Sequence, residues 1–350
     1  MTDVVTELTE KGRYIKTPAR EIFTEDELNI LRKKSNWKAS WMIMSSWGIV
    51  FGAMAMFAMF PNPVTFVLAV MLIGSRQLGL AVAMHDAAHN SMYTHPKVND
   101  LVCNWLAAYP TATDIKPYRP YHLVHHRKTG QPEDPDLHLA HAYPITPASF
   151  RRKAFRDLKG ETGWKQRKAQ WRGAIGPAEW PLARRLKNLW ARLGGFFITN
   201  AILFAALALA GYWYLYPLLW IVPMLTWYQF ISRVRNMAEH ACVGDADDDF
   251  RNARTTLAGP IMRLFLAPNY VNYHCEHHLL YWVPSYNLPT MHKMLMAKGY
   301  GDRMEVKQGY FDMMKIAVRE DAKQVRRAAT VLSAPFGAPQ TEEQPFNVRG

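Results

Sequence analysis

Residues 41–60, WMIMSSWGIVFGAMAMFAMF, decide the fold class, because they run for 20 residues without a charge. A helix of that length, rising about 1.5 Å per residue, spans the roughly 30 Å hydrocarbon core of a bilayer. Pro61-Asn62-Pro63 then breaks it, since a proline ring has no N–H to give and clashes with the preceding turn. Val64–Met84 is nearly as long and is interrupted by Arg76 and Gln77. Phe196–Tyr216 is a third expected span, ending in Tyr212, Trp213, Tyr214 and Tyr216, as suits a water–lipid boundary. Leu218–Ile231 is shorter and carries Pro223; it reaches Val234 if Arg233 extends to the interface. The run Val98–Pro110 is too short to cross and is expected to be re-entrant or interfacial. The expectation is an all-α membrane protein with two transmembrane helical hairpins, four spans in all.

The charge distribution gives the orientation. The chain is basic, with 42 Lys and Arg against 29 Asp and Glu. Such a balance suits nucleic acid, anionic lipid or an acidic protein, and placement decides between them. Residues 1–40 hold eight of the basic side chains, 85–195 hold eighteen, 233–350 hold fifteen, and the hairpin turns 61–63 and 211–217 hold none. By the positive-inside rule both hairpins enter and leave on the cytosolic side, which puts both termini there. The basic excess is therefore a topology signal, and nucleic acid is not an expected partner. The start, MTDVVTELTEKGRYIK, lacks the form of a cleavable signal peptide. Cys103, Cys242 and Cys275 form no CxxC, which excludes a disulfide scaffold and a Cys-ligated zinc module.

Histidine carries the chemistry. Nine of the 13 histidines fall into four groups: His85-Asp86-Ala87-Ala88-His89, His122-Leu123-Val124-His125-His126, Asn236-Met237-Ala238-Glu239-His240 and His274-Cys275-Glu276-His277-His278. Positions i, i+3 and i+4 share a helix face, so HxxxH and HxxHH aim two or three imidazoles one way, as a helix-built metal site requires. Between the second and third groups the chain is expected to cross the membrane twice, so all four groups lie at the cytosolic ends of the spans. Nine imidazoles exceed the four ligands of one zinc and suit two ions, although imidazole alone does not choose among Fe, Zn, Cu and Ni. Asp86, Glu239, Glu276 and Asp134 stand close by in sequence and are expected to accept the far ring N–H of ligand histidines. His95, His138, His141 and His292 lack partners at ligand spacing and are expected to be structural.

The boxes HDAAH, HLVHH and HCEHH resemble those of the integral-membrane fatty acid desaturase and hydroxylase superfamily, which includes carotenoid ketolases. His125-His126-Arg127-Lys128-Thr129-Gly130 with Asp134-Pro135-Asp136-Leu137 strengthens the likeness, and Asn236 with His240 is similar to an additional NxxxH of acyl-CoA desaturases. The resemblance implies a di-iron centre in a cytosolic helical cap, held by His85, His89, His122, His125, His126, His240, His274, His277 and His278. It implies that Asn236 holds a water near one iron. It also implies O2 as co-substrate and hydrogen removal from an unactivated lipid C–H bond. Loss of a second hydrogen gives an alkene, and transfer of oxygen gives an alcohol. Desaturation is the leading reading, with a hydroxylase or ketolase as the alternative. A divalent-metal carrier would place its ligands at mid-membrane rather than beyond the spans.

Two departures stand out: the first box has three intervening residues where acyl-CoA desaturases typically have four, and the last begins with His274 where front-end desaturases usually have Gln. No fused cytochrome b5 segment is recognisable, so electrons are expected from a separate ferredoxin or cytochrome b5 type donor. The basic face is expected to dock it. The segment Phe150–Leu193 interleaves Arg and Lys with Trp164, Trp171, Trp180 and Trp190, as an interfacial helix would. The expected organisation is a cytosolic N-terminal segment (1–40), a membrane and cap domain (41–300) and a C-terminal segment (301–350) whose tail, after about Lys323, is disordered.

Overall fold

The computed structural model describes residues 16–325, so the start of the chain and nearly all of the expected disordered tail lie outside the described residues. The chain is mostly helical. Helix α1 (Glu25–Arg32) opens on a capping box, in which Thr24 Oγ1 accepts the Glu27 N–H and the Glu27 carboxylate accepts the Thr24 N–H. Helices α2 (Asn36–Met59) and α3 (Pro63–Ala88) form a tight hairpin. Asn62 starts α3 by accepting the N–H groups of Val64 and Thr65, and Pro63 stands where a missing N–H costs nothing. Burial along α3 rises toward its C-terminus, where every residue from Val82 to Ala88 is buried. The polar pair on α3 is partly satisfied inside the protein: Arg76 Nη2 donates to the carbonyls of Arg263 and Leu264, and Gln77 Nε2 to that of Trp220, while Arg76 Nε and Gln77 Oε1 are buried without partners.

The short run after α3 does not cross. It folds as α4 (Pro96–Cys103), a π turn (Asn104–Ala108) and a 3-10 turn (Tyr109–Thr111), with Trp47 Nε1 donating to the Leu106 carbonyl at 2.8 Å. Next come α5 (Ile115–Lys128), α6 (Pro147–Leu158), α7 (Glu161–Ile175) and α8 (Leu182–Leu209). Among the described residues, α2, α3 and α8 are the helices long and apolar enough to cross a membrane.

The fourth apolar stretch is broken rather than continuous. It forms a π turn (Pro217–Ile221) and a single turn (Val222–Leu225), stops at Thr226 (φ −116°, ψ −90°) and resumes as α9 (Trp227–His240). Pro217 and Pro223 explain this, because each removes a donor from the ladder. Side chains hold the irregular segment: Asn200 Oδ1 accepts the Trp220 Nε1–H at 2.8 Å, and Thr226 Oγ1 donates to the Val222 carbonyl. Arg233, expected to reach an interface, instead forks onto the buried Asp157 at the end of α6, at 2.5 and 2.9 Å.

Helix α7 lies directly against the break. A Cβ added to Gly163 would stand 2.5 Å from the Leu225 carbonyl oxygen and 2.7 Å from its Cα, so only glycine permits this approach. Gly163→Ala should therefore destabilise the protein by about 1–3 kcal/mol. A thermal unfolding midpoint equal to wild type would contradict that contact.

The remaining elements close over the inner ends of α3 and α9. Strand β1 (Thr255–Thr256) pairs in parallel with β2 (Val306–Lys307), and helices α10 (His274–Leu279), α11 (Leu288–Ala297) and α12 (Tyr310–Ala317) complete the chain. Leu28 and Leu31 of α1 share an apolar cluster with Phe250, Leu279 and Met291, while Tyr310, Met313 and Ala317 of α12 pack with Met237 and Ala238 of α9.

Candidate metal centre

Each histidine group is fixed by its own element. His85 sits in the last turn of α3, and His89 is its C-cap. Arg119 anchors that helix end: its Nε and Nη2 donate to the carbonyls of Ala88 and Ala87, and both Nη atoms hold Asp100, at 2.6 and 3.1 Å. The guanidinium thus satisfies carbonyls that a helix C-terminus leaves without partners. His122, His125 and His126 lie on the C-terminal half of α5, His240 ends α9, and His274, His277 and His278 lie on α10.

The nine histidines meet as two sets. Ring nitrogens of His85, His89, His122, His126 and His277 lie within 4.8 Å of one another, and those of His125, His240, His274 and His278 do the same. Helical rotation explains the division. With 3.6 residues per turn, positions i and i+4 diverge by about 40°, while i+3 points about 60° to the other side. Accordingly His274 and His278 enter one set and His277 the other; His122 and His126 pair while His125 turns away. The Nε2 atoms face inward: His122 to His126 is 2.9 Å, His126 to His277 is 3.0 Å, His240 to His274 is 2.8 Å and His274 to His278 is 3.0 Å.

Other groups hold the far side of the rings. His85 Nδ1 lies 3.1 Å from Asp86 Oδ1, and Asp86 Oδ2 accepts the Ser285 N–H. His125 Nδ1 lies 2.8 Å from Asp134 Oδ1, His278 Nδ1 is 3.1 Å from Thr129 Oγ1, and His240 Nδ1 is 3.4 Å from the Asn252 carbonyl. An N–H donated outward from Nδ1 leaves the Nε2 lone pair facing the centre, as a ligand needs. Burial opposes Asp134's charge, but hydrogen bonds from His125 and from the Gly130 and Asp136 N–H groups win, and its carboxyl stays below its ordinary range. Burial, reinforced by mutual repulsion, holds His122, His126, His274, His277 and His278 well below the ordinary imidazole range. Burial likewise brings His240 down to about 3. These six rings are therefore neutral near pH 7, which is the ligating form.

This donor set fits metal ions and fits little else. Two neutral Nε2 atoms can share one proton, but His126 Nε2 faces two others at once. His85 Nε2 and both nitrogens of His89 are buried without a hydrogen-bond partner, a cost of roughly 1–3 kcal/mol each that coordination would offset at His85 Nε2 and at one nitrogen of His89.

The other expected residues divide. Glu239 Oε1 pairs with Arg235 at 2.6 Å, and its Oε2 is 3.5 Å from His274 Nε2. Burial raises the Glu239 carboxyl to about 7 against the pull of Arg235. Asn236 lines a cavity of about 110 Å³ that also touches His122, His125, His240 and His274, so it stands beside both sets. Glu276 meets none of the nine rings; it braces α10 to Thr255 and to His292 Nδ1, giving His292 a structural partner. His95, His138 and His141 are exposed. Sequence reasoning passed over Thr129, Arg119 and Tyr118, whose ring stacks on His122 at 5.0 Å. Arg235 left a usable signal, lying four residues before Glu239 on one helix face.

Comparison with known proteins agrees with this geometry. A family model described as fatty acid desaturase matches residues 61–309. The chain is 31% identical over 240 residues to dihydrorhizobitoxine desaturase of Bradyrhizobium elkanii, covering 65% of this chain and 67% of that protein. It is 24% identical over 333 residues to sn-1 oleoyl-lipid 12-desaturase of Anabaena variabilis, covering 87% of each. With histidine boxes gathered into two buried sets inside the matched region, the chain belongs to the fatty acid desaturase family and is an oxidoreductase.

Proposed function

We propose that the chain is an O2-dependent desaturase that introduces a double bond into a lipid acyl chain, with two iron ions held by the nine histidines. His85, His89, His122, His126 and His277 would hold one, and His125, His240, His274 and His278 the other. The observation that carries this reading is the division of nine inward-facing imidazoles into sets of five and four. Iron there would supply the redox chemistry, in which O2 would be reduced to two waters by two hydrogens from the substrate together with two electrons from a donor and two protons from solvent. The protein's own groups do the positioning. Asp86 and Asp134 fix the tautomer and tilt of His85 and His125. Asn236, in the cavity between the sets, is suited to hold a water, and Glu239 is oriented by Arg235.

In this reading α2 with α3, and α8 with residues 218–231, are two membrane hairpins, and the histidines and both termini face the cytosol. A broken fourth crossing is tolerated because Leu219 and Trp220 are buried in protein and not in lipid. Residues 41–300 would form the membrane and cap domain between the segments 1–40 and 301–350. Lipid mass spectrometry of a host expressing the chain tests the reaction. A lipid lighter by two hydrogens, absent from cells carrying His277→Ala, is expected; a lipid heavier by one oxygen would replace desaturation with hydroxylation.

Electrons would come from a separate acidic protein of ferredoxin or cytochrome b5 type. A cavity of about 700 Å³ reaches His89 between Arg20, Arg32 and Lys34, a basic mouth for such a donor. Between 0.1 and 1 M salt the screening length falls from about 10 to about 3 Å. Donor-dependent kcat/KM should fall with it, and turnover indifferent to salt would argue against this docking.

A further inference from the structure

A second cavity, of about 260 Å³, opens between α3, α5, α7 and α9 and reaches His85 and Asn236. Its walls differ in kind. Helix α3 supplies Leu78, Val82 and Met84, whereas α7 and α9 supply Arg167 and Ser232.

Arg167 is held close to the cavity because Gly163, one turn earlier on the same face, lets α7 touch the Leu225 backbone. Its Nη1 donates to Gln170 Oε1 at 2.8 Å, but its Nε is buried without a hydrogen-bond partner. Among the described residues, no carboxylate pairs with it. Burial pulls its pKa down, although the guanidinium remains charged. Ser232 Oγ is likewise buried and without a partner. The other cation on this wall, Arg235, already has an acidic partner in Glu239 at 2.6 Å. The cavity therefore carries one positive charge that nothing among the described residues compensates, beside two unused donors. Such an arrangement is costly unless an anion completes it.

We infer that this cavity binds the carboxylate end of the substrate on Arg167 and Ser232, with a short aliphatic segment lying along Leu78, Val82 and Met84 toward His85. One uncompensated cation matches a single negative charge better than a phosphate dianion. The volume lies below the roughly 300–1,000 Å³ that encloses drug-sized ligands, so a short molecule fits. The assignment puts a short free acid in place of an esterified lipid chain as the substrate, and rests on the desaturase reading only for what happens at His85.

Binding tests it without turnover. The full-length, iron-loaded protein in nanodiscs is titrated calorimetrically with hexanoate and with hexanamide, which has the same length and no charge. Hexanoate should bind wild type about tenfold or more tightly than hexanamide. R167Q should reduce hexanoate to the level of the amide, and R167K, which keeps the charge, should retain part of the preference. Equal binding of the two probes to wild type, or a preference that survives in R167Q because the carboxylate sits on iron instead, would overturn the inference. A protein that binds hexanoate through Arg167 yet forms no alkene supports this assignment and counts against desaturation alone.

Discussion

His277→Ala is expected to leave no lipid product above the host background while the protein still inserts and folds. His277 belongs to the set of five and faces His126 Nε2 at 3.0 Å, yet it rises from the same helix as two histidines of the other set. Its loss removes one imidazole from a set of converging donors that, on the proposed reading, would hold one ion. The iron content should therefore drop from about two to about one per chain, because ligand removal weakens one ion selectively. His125→Ala should do the same to the other ion. A two-electron oxidation that needs both ions fails in either case. His138→Ala is the control, since His138 is exposed and its ring nitrogen lies against the Pro135 carbonyl, away from both sets. Retained turnover in His277→Ala or His125→Ala would contradict the assignment, as would loss of turnover in His138→Ala.

Asp134→Ala should weaken the ion held by the set of four by about 10–100-fold, the usual cost of removing a partner that orients a ligand histidine. Both rotational freedom and tautomer are at stake, because Asp134 Oδ1 lies 2.8 Å from His125 Nδ1 and the aspartate is buried. The same carboxylate accepts the Gly130 and Asp136 N–H groups, so it also shapes the loop that follows α5. Asp134→Asn separates these roles, since the amide keeps the shape and one acceptor but loses the charge. Chelator competition on the purified protein would read both variants. Glu276→Gln provides the contrast: its carboxylate serves His292 and Thr255, so iron affinity should change far less than in Asp134→Ala. Equal losses in the two would mean that the contact with His125 is not what matters.

Much of this site was legible in the sequence, for a physical reason. Spacings of three and four residues are a direct record of which side chains share a helix face, so HLVHH and HCEHH announce convergent rings before any fold is known. The division between sets was not drawn from the same spacing, although the divergence of i+3 from i+4 contains it. What spacing cannot record is which distant groups brace the rings. Thr129 and the Asn252 carbonyl reach His278 and His240 through tertiary packing, and Glu276, adjacent in sequence to His277, points away toward His292. The spans show the same boundary. Uncharged length identified α2, α3 and the later half of α8, which starts at Leu182 and ends at Leu209 rather than running from Phe196 to Tyr216, while Pro217 and Pro223 convert the fourth stretch into a broken element whose path depends on Gln77 and Asn200. Arg233 looked like an interfacial side chain because its partner, Asp157, lies 76 residues away in sequence.

Elemental analysis of the full-length protein purified from iron-replete cells addresses the central claim most directly. Two sets of inward-facing imidazoles, five and four, are expected on the proposed reading to hold about two irons per chain. A single iron, or zinc in place of iron, would contradict it.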